Sequence, residues 1–163
     1  MQEITLKPLE ATDREMVRSF TSAHWGAETV VVHGEIYLPY TLPGFAAYKD
    51  AGIIGVVTYR IDGSACEIVT LNSLSEGQGT GTALIQAVRA RAVQAGCRRL
   101  WLITTNDNLN ALKFYQKLGF RLVAIHPGAV DESRKLKPAI PLIGEHGIPI
   151  RDELELELRL EKA

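Results

Sequence analysis

Cysteine is scarce in this chain, and neither sign of charge is in excess. Cys66 and Cys97 are the two cysteines among 163 residues, and their number and spacing suit neither a disulfide framework nor a thiolate metal site. Lysine and arginine number 18 against 19 aspartates and glutamates, a formal net charge of -1. Because there is no basic surplus to attract phosphate backbones, we expect neither DNA nor RNA as a partner.

Long apolar runs are also missing. No segment approaches the ~18 consecutive apolar residues of a membrane span, and the opening residues MQEITLKPLE are too polar for the hydrophobic region of a secretory signal. We therefore expect a cytoplasmic protein with no membrane partner. No metal is expected either, because the histidines lack metal-ligand spacing. They are His24, His33, His126 and His146.

The residues that are present are typical of a globular protein, with 46% apolar and 23% charged side chains, and we predict a single domain over residues 1–163. A strand is predicted at residues 3–8. A helix should follow, beginning at a capping box formed by Thr12 and Glu15 and ending at Gly26. Residues 24–43 show no sustained period, and their structure is left open.

Strand and helix signals are stronger from Gly44 onward. Short turns separate three apolar segments, which predicts an antiparallel meander. A strand, helix, strand, helix and strand should then follow in that order. The predicted strands are 44–49, 52–61, 65–71, 98–105 and 120–125, and the predicted helices are 80–95 and 109–118.

The last part of the chain combines a proline-rich segment with a strictly alternating one. Residues 127–149 hold four of the seven prolines, which predicts a long ordered loop with at most one helical turn. The sequence RDELELELRLE that follows alternates with a period of two, as a strand does. We thus predict an α/β fold with a central mixed, mostly antiparallel sheet of about seven strands flanked by helices.

A glycine-rich connection between a strand and a helix carries the clearest chemical signal. Gly77, Gly79 and Gly81 precede the predicted helix 80–95, so backbone N–H groups and the helix dipole can attract a phosphate there. No Gly-Lys-Ser/Thr follows as in a Walker loop, and Thr82 replaces the third glycine of a dinucleotide fingerprint. ATP and NAD are therefore not favoured, although the glycines alone are also consistent with a tight turn.

Two motifs in this region resemble those of the GNAT superfamily of N-acetyltransferases. Residues 76–81 read EGQGTG and resemble the family's pyrophosphate loop, Arg/Gln-x-x-Gly-x-Gly/Ala, except that Glu76 replaces the first residue. Residues 108–115 read NLNALKFY, with Gly-Phe at 119–120, and resemble its Asn-x-x-Ala-x-x-x-Tyr signature. The resemblance covers roughly residues 1–127, most specifically the cofactor-binding core 66–121, with 127–163 as loop and last strand.

The resemblance implies acetyl-CoA as the co-substrate and assigns the residues that bind it. Contacts at such a loop are made largely by backbone N–H groups, so the loop tolerates Glu76 if its side chain turns to solvent. The implied cofactor-binding residues are Val69, Thr70, Leu71, Glu76, Gly77, Gln78, Gly79, Thr80, Gly81, Thr82, Asn108 and Phe114.

Two residues match catalytic positions of the family. By resemblance, Glu67 is the general base that accepts a proton from the amine, and Tyr115 is the acid that protonates the departing CoA sulfur. The alternatives are that Glu67 is a charged residue on a solvated strand face and that Tyr115 is a core aromatic. Asn108 either binds the pantetheine or caps its helix, or does both.

The acceptor pocket should be formed by the segment after the first helix, the late loop and the last strand. Its candidate residues are Trp25, His33, Tyr37, Asp152 and Glu153. The resulting hypothesis is transfer of acetyl from acetyl-CoA directly to a primary amine of a small molecule or peptide. The alternative is a non-catalytic acyl-CoA-binding sensor or partner-binding module on the same fold. The amphipathic last strand is also compatible with a sheet that extends across a homodimer.

Overall fold

The computed structural model describes residues 3–74 and 77–161, except for the side chain of Trp25. Two sheets and four α-helices make up this part of the chain. The strands are β1 (Thr5–Pro8), β2 (Val30–Val32), β3 (Glu35–Tyr37), β4 (Gly44–Lys49), β5 (Gly52–Asp62), β6 (Ala65–Ser73), β7 (Arg99–Thr105), β8 (Arg121–His126) and β9 (Glu153–Arg159). The helices are α1 (Arg14–Trp25), α2 (Thr80–Gln94), α3 (Leu109–Lys117) and α4 (Ala129–Leu136).

Seven strands form the central sheet in the order β1-β4-β5-β6-β7-β9-β8. β4, β5 and β6 pair antiparallel as a meander. β6 and β7 are parallel, because the connection through α2 returns the chain to the end of the sheet at which β6 begins. The predicted mixed, mostly antiparallel sheet of seven strands is confirmed. None of the helices in the described residues is long and apolar enough to cross a membrane.

The main core lies between the sheet and α2. Leu84, Ile85 and Val88 are at most 1% exposed and belong to one cluster with the inward side chains of β5, β6 and β7. Gly55 on β5 allows this close packing, since a β-carbon at Gly55 would lie 2.9 Å from the Thr80 Cγ2 atom of α2. The glycine thus fixes how near the start of α2 comes to the sheet.

A bulge and a split in β6 open the sheet at its centre. Thr58 pairs with Thr70 and Tyr59 with Ile68, so Val69 is an extra residue without a partner on β5. β6 pairs with β7 only from Ala65 to Ile68, while β7 continues along β9 as far as Thr105. Beyond Ile68 the two parallel strands therefore diverge.

Two sequence-based expectations need correction, and the structure defines one segment for which the sequence favoured no structure. The capping box at the first helix joins Glu10 and Asp13 rather than Thr12 and Glu15, because a 3-10 turn at Ala11–Asp13 precedes α1. The segment without sustained period contains the hairpin β2–β3. The late loop contains the eight-residue helix α4 instead of a single turn, and its acidic first turn and basic last turn suit the helix dipole.

Candidate active site

A cleft of about 910 Å³ occupies the split between β6 and β7. The start of α2 and one face of α3 form its other walls. Ten of the predicted cofactor-binding residues line this cleft, together with Tyr115: they are Val69, Thr70, Leu71, Gly77, Gly79, Thr80, Gly81, Thr82, Asn108 and Phe114.

The glycine loop presents a helix N-terminus to the cleft. Gly77 and Gly79 adopt positive φ values of 78° and 81°, a conformation that favours glycine. Gly79 caps α2, and no side chain among the described residues hydrogen-bonds to the first turn as a cap. The first N–H groups of α2 are thus available to an anion. The exposed Gln78 is not among the lining residues, and Glu76 lies outside the described residues.

The backbone of β6 forms the opposite edge of the cleft. Past Ile68, the edge of β6 that faces β7 has no strand partner in the described part of the chain. Thr70 and Leu71 line the cleft there, and the Thr70 hydroxyl is held 2.6 Å from that of Thr58. Their backbone groups can therefore pair with an extended, amide-containing ligand in the way that a neighbouring strand would.

Tyr115 is a buried tyrosine whose ring faces the cleft. It is 7% exposed and packs edge-to-face against Phe114 and Phe120 at centroid distances of 5.0 and 5.4 Å. None of the described residues hydrogen-bonds its hydroxyl. Burial raises the pKa of the Tyr115 phenol above its ordinary value of 10.0, so the phenol is a proton donor at neutral pH. Asn108 caps α3, its Oδ1 accepting from the Ala111 N–H at 3.1 Å.

Glu67 lies on the other face of β6 and is covered by the β2–β3 hairpin. Its side chain is 4% exposed, and its two carboxylate oxygens lie 2.7 and 2.9 Å from Nε2 of His33. The hydroxyl of Tyr37 lies 3.3 Å from the same nitrogen and donates to Glu35. Neither Glu67 nor His33 lines the cleft itself.

The structure brings most of the predicted acceptor residues to that same face. Glu153 is 3% exposed, and its Oε2 accepts the backbone N–H of His33 at 3.1 Å. Tyr37 packs in a small apolar cluster with Val69 and Ile103, both of which line the cleft. Asp152 is used differently, because its Oδ1 accepts the Gly128 N–H at 2.9 Å and so shapes the start of α4.

Several cleft residues were not predicted from the sequence. Lys113 and Lys117 line the cleft from α3, and their spacing of four residues, which places both on one helix face, was the available signal. His24 and Glu145 also line it. Both come from segments whose position depends on distant contacts, and no local pattern marks them.

The late loop is tied to the end of β7 and so becomes a wall of the cleft. Asn106 accepts the backbone N–H groups of Arg151 and Asp152, each at 3.0 Å, and donates to the Pro149 carbonyl. Asp107 is 5% exposed and accepts the Glu145 N–H at 3.0 Å. The loop that carries Glu145 is thus anchored by four hydrogen bonds to Asn106 and Asp107.

The seven-stranded, mostly antiparallel sheet flanked by helices matches the fold of solved acetyltransferases. Residues 11–120 match the model of the acetyltransferase (GNAT) family, and the chain belongs to this family. It is 48% identical over 142 residues to the uncharacterized protein YdhI of Bacillus subtilis, covering 86% of this chain and 89% of YdhI.

Solved acetyltransferases share the fold. An IAA acetyltransferase from Bacillus cereus superposes with a TM-score of 0.74 at 21% identity, covering 97% of this chain and 100% of that one. A GNAT family acetyltransferase from Elizabethkingia anophelis with acetyl-CoA bound gives 0.71 at 23% identity, covering 96% and 98%. The family expected from the two sequence motifs is confirmed.

Proposed function

We propose that this protein transfers an acetyl group from acetyl-CoA directly to the primary amine of a small molecule or peptide. The observation that carries the proposal is the cleft between β6 and β7. Among the described residues it is lined by the glycine-capped N-terminus of α2, by β6 residues Val69 to Leu71, which lie beyond its pairing with β7, and by Tyr115. Each of these features matches one part of the reaction.

The donor side of the cleft suits a nucleotide thioester. The free N–H groups at the start of α2 would hold the pyrophosphate, and Lys113 and Lys117 add positive charge at the same cleft. Thr70 and Leu71 would pair with the amide groups of the pantetheine arm. The acetyl-CoA bound in the Elizabethkingia anophelis enzyme of the same fold supports this choice of donor.

Tyr115 would complete the transfer on the donor side. The amine nitrogen attacks the thioester carbonyl, the new C–N bond forms and the C–S bond breaks. The sulfur leaves as a thiolate, and a buried phenol that remains protonated is suited to return a proton to it. Because no described residue competes for the Tyr115 hydroxyl, the hydroxyl is free to reach the sulfur.

The acceptor side would deprotonate the amine. Most alkylamines are protonated at neutral pH, with a pKa of about 10.4 for a lysine-like amine, so attack requires the loss of a proton. Glu67 lies two residues before Val69, and the two side chains share the hairpin face of β6. The Glu67 carboxylate would supply the negative charge that draws this proton away, and Glu153 and the exposed Glu35 add negative charge that favours a cationic acceptor.

Ligand-dependent unfolding tests the donor, and thiol release then tests catalysis. Acetyl-CoA at about 100 times its dissociation constant should stabilise the protein by about 2.7 kcal/mol, a shift of several degrees in Tm, whereas NADH and ATP should not. A panel of primary amines is then screened for release of free CoA thiol. Stabilisation without turnover of any amine would support a non-catalytic acyl-CoA-binding module, and no stabilisation would refute the donor assignment.

A further inference from the structure

We propose that His33 is the residue that takes the proton from the acceptor amine, and that Glu67 is a positioning residue that holds the imidazole from behind. This inference rests on the proposed function. It changes the assignment of the proton acceptor from a lone carboxylate to a two-residue pair.

The exposure of the two side chains determines which one an amine can reach. The Glu67 side chain is 4% exposed, whereas that of His33 is 25% exposed. Both oxygens of the Glu67 carboxylate are within hydrogen-bond distance of His33 Nε2. An amine that approaches from solvent therefore meets the imidazole, while the carboxylate lies behind it.

The hydrogen bond to Glu67 also fixes which imidazole nitrogen is basic. A carboxylate only accepts hydrogen bonds, so Nε2 of His33 must carry a hydrogen. In the neutral ring the lone pair is then on Nδ1. The backbone of His33 itself adds a minor hydrogen bond that raises the pKa of the ring, and among the described residues no other group hydrogen-bonds to Nδ1. Nδ1 is therefore the ring nitrogen that remains to exchange a proton with a substrate.

The turn that carries His33 is held in place from two sides. His33 and Gly34 form the two-residue connection of the β2–β3 hairpin and have φ values of 40° and 78°, as a tight hairpin turn requires. The N–H of His33 donates to Glu153 on β9, and the imidazole lies 5.5 Å from the Trp101 ring on β7. A non-glycine residue in this conformation is uncommon, and here its side chain is placed against Glu67.

The pair lies close to the point where β6 and β7 diverge. Val69 lines the cleft and follows Glu67 by two residues on β6, a separation of about 7 Å along a strand. Ile103 lines the cleft in the same way and follows Trp101 by two residues on β7. An amine held beside His33 is thus near the point where the strands diverge.

The charges around His33 favour its protonated form. The pKa of His33 is raised above its ordinary value of 6.5, chiefly by the hydrogen bond to Glu67 and against the opposing effect of burial, with a smaller contribution from Glu35. On the same side, Tyr37 donates to Glu35 and Arg60 lies 3.5 Å from the Tyr37 hydroxyl.

Other elements packed near the hairpin contribute two further cations. On β7, Arg99 stacks over Trp101 at 4.9 Å and pairs with Glu155 and Glu157 of β9, in each case at 2.6 Å. After α4, Lys137 donates to the Thr29 carbonyl just before β2 at 2.8 Å. Both cations are engaged by these partners, so Glu67 remains the charge in direct contact with His33.

The proton balance follows from this arrangement. A substrate ammonium gives one proton to Nδ1 of His33, and the imidazolium is held by the Glu67 carboxylate until the proton passes to solvent. The neutral amine attacks the thioester, the C–N bond forms and the C–S bond breaks. The thiolate takes the Tyr115 proton, and Tyr115 is reprotonated by the second proton that leaves the nitrogen. One proton is released overall.

Nuclear magnetic resonance titration of the histidine side chains tests the pair without any turnover. In the wild type, His33 should titrate above 6.5 with the hydrogen of its neutral form on Nε2, and Glu67→Gln should lower that pKa. His126 is the internal reference, because it contacts Glu155 at 3.2 Å rather than Glu67, and Glu67→Gln should leave its ring resonances in place. A His33 pKa that is unaffected by Glu67→Gln overturns the inference.

The pH dependence of kcat/KM tests the catalytic step with an amine found in the screen. His33→Asn is the variant of choice because asparagine tolerates positive φ, so the turn is kept. It should lower kcat/KM by about 10² or more and remove the rise of activity that the wild type should show as pH increases through the raised His33 pKa, whereas His126→Gln should change neither. Glu67→Gln should move this rise to lower pH.

The outcomes separate the inference from the proposed function. If Glu67 alone were the base, His33→Asn would uncover it, and kcat/KM would be kept or increased with an unchanged pH profile; this result overturns the inference and leaves the proposed function intact. If the wild type turns over no amine, the proposed function and the catalytic step fail together, and the titration still decides whether the two residues are coupled.

Discussion

Removal of the Tyr115 hydroxyl should slow catalysis without weakening the fold. Tyr115→Phe keeps the ring that packs between Phe114 and Phe120 at 5.0 and 5.4 Å. The hydroxyl has no hydrogen-bond partner among the described residues, so its deletion leaves no protein group unsatisfied. The free energy of unfolding should therefore change by less than about 0.5 kcal/mol, or increase slightly.

The expected kinetic loss can be stated from the proposed role. A positioned general acid contributes about 10² or more to the rate, and a factor of 100 corresponds to about 2.7 kcal/mol of activation free energy. Burial raises the Tyr115 pKa above 10.0, so the phenol stays protonated through the neutral and mildly basic range. The variant should hence be slower by the same factor at pH 7 and pH 9.

The assay should isolate the chemical step from product release. Single-turnover release of CoA thiol from the enzyme with acetyl-CoA bound measures that step directly. Calorimetric affinity for acetyl-CoA and urea unfolding serve as the second and third readouts. Tyr59→Phe is the matched control, because Tyr59 is equally buried at 6% exposure in the same core cluster but does not line the cleft.

Three results would contradict this reasoning. An unchanged single-turnover rate in Tyr115→Phe means that another group protonates the sulfur, and Tyr115 is then a core aromatic. If Tyr115→Phe lowers the free energy of unfolding by about as much as it raises the activation free energy, about 2.7 kcal/mol, the hydroxyl has a structural partner. Equal slowing by Tyr59→Phe would indicate a general effect on the core rather than acid catalysis.

Three further predictions concern the neighbouring residues. Glu67→Gln should flatten the pH dependence of stability measured by urea unfolding, because the stabilisation from the raised His33 pKa is complete below pH 6.5 and is lost as pH rises through that raised pKa; an unchanged slope would contradict this. Asn108→Ala should cost about 1 kcal/mol in urea unfolding through loss of the α3 cap. Gly81→Ala should weaken calorimetric acetyl-CoA binding about tenfold without lowering Tm, because the new β-carbon would lie 3.2 Å from Phe114 Cζ, and retained affinity would contradict it.

Local sequence signals were enough to predict where the first three helices begin or end. Gly26 ends α1 with a φ of 70°, and Asn108 caps α3, each as its residue type predicts. The start of α2 follows from Gly79 in the same way. In these cases the residue that ends or begins the element is itself the physical cause, so a single sequence is enough to predict it.

The β2–β3 hairpin could not be predicted in this way. Its strands are three residues each, too short for a period of two to appear. The turn begins with His33 rather than with the asparagine, aspartate or glycine that marks such turns. Its position depends instead on Glu67, 34 residues away, and on Glu153, 120 residues away. Partners at such distances leave no local pattern.

The late loop also could not be fully predicted from local sequence, although one helical ion-pair spacing in it was visible. Proline content favoured an irregular segment, yet the Asp131–Arg134 ion pair at 2.7 Å has helical spacing. Arg134 also donates to the carbonyls of Ile140, Pro141 and Ile150, which orders the chain after α4. These bonds connect residues whose proximity appears only once the chain is folded.

The two halves of the candidate site therefore differ in what holds them together. The donor side is built from β6, the glycine loop and α3, whose ends are determined by their own residues. The proposed acceptor side comprises the hairpin and the late loop, which are joined by single side-chain bonds such as Lys137 to the Thr29 carbonyl at 2.8 Å. Substitutions in these connecting residues should thus change which amine is accepted while leaving acetyl-CoA binding in place.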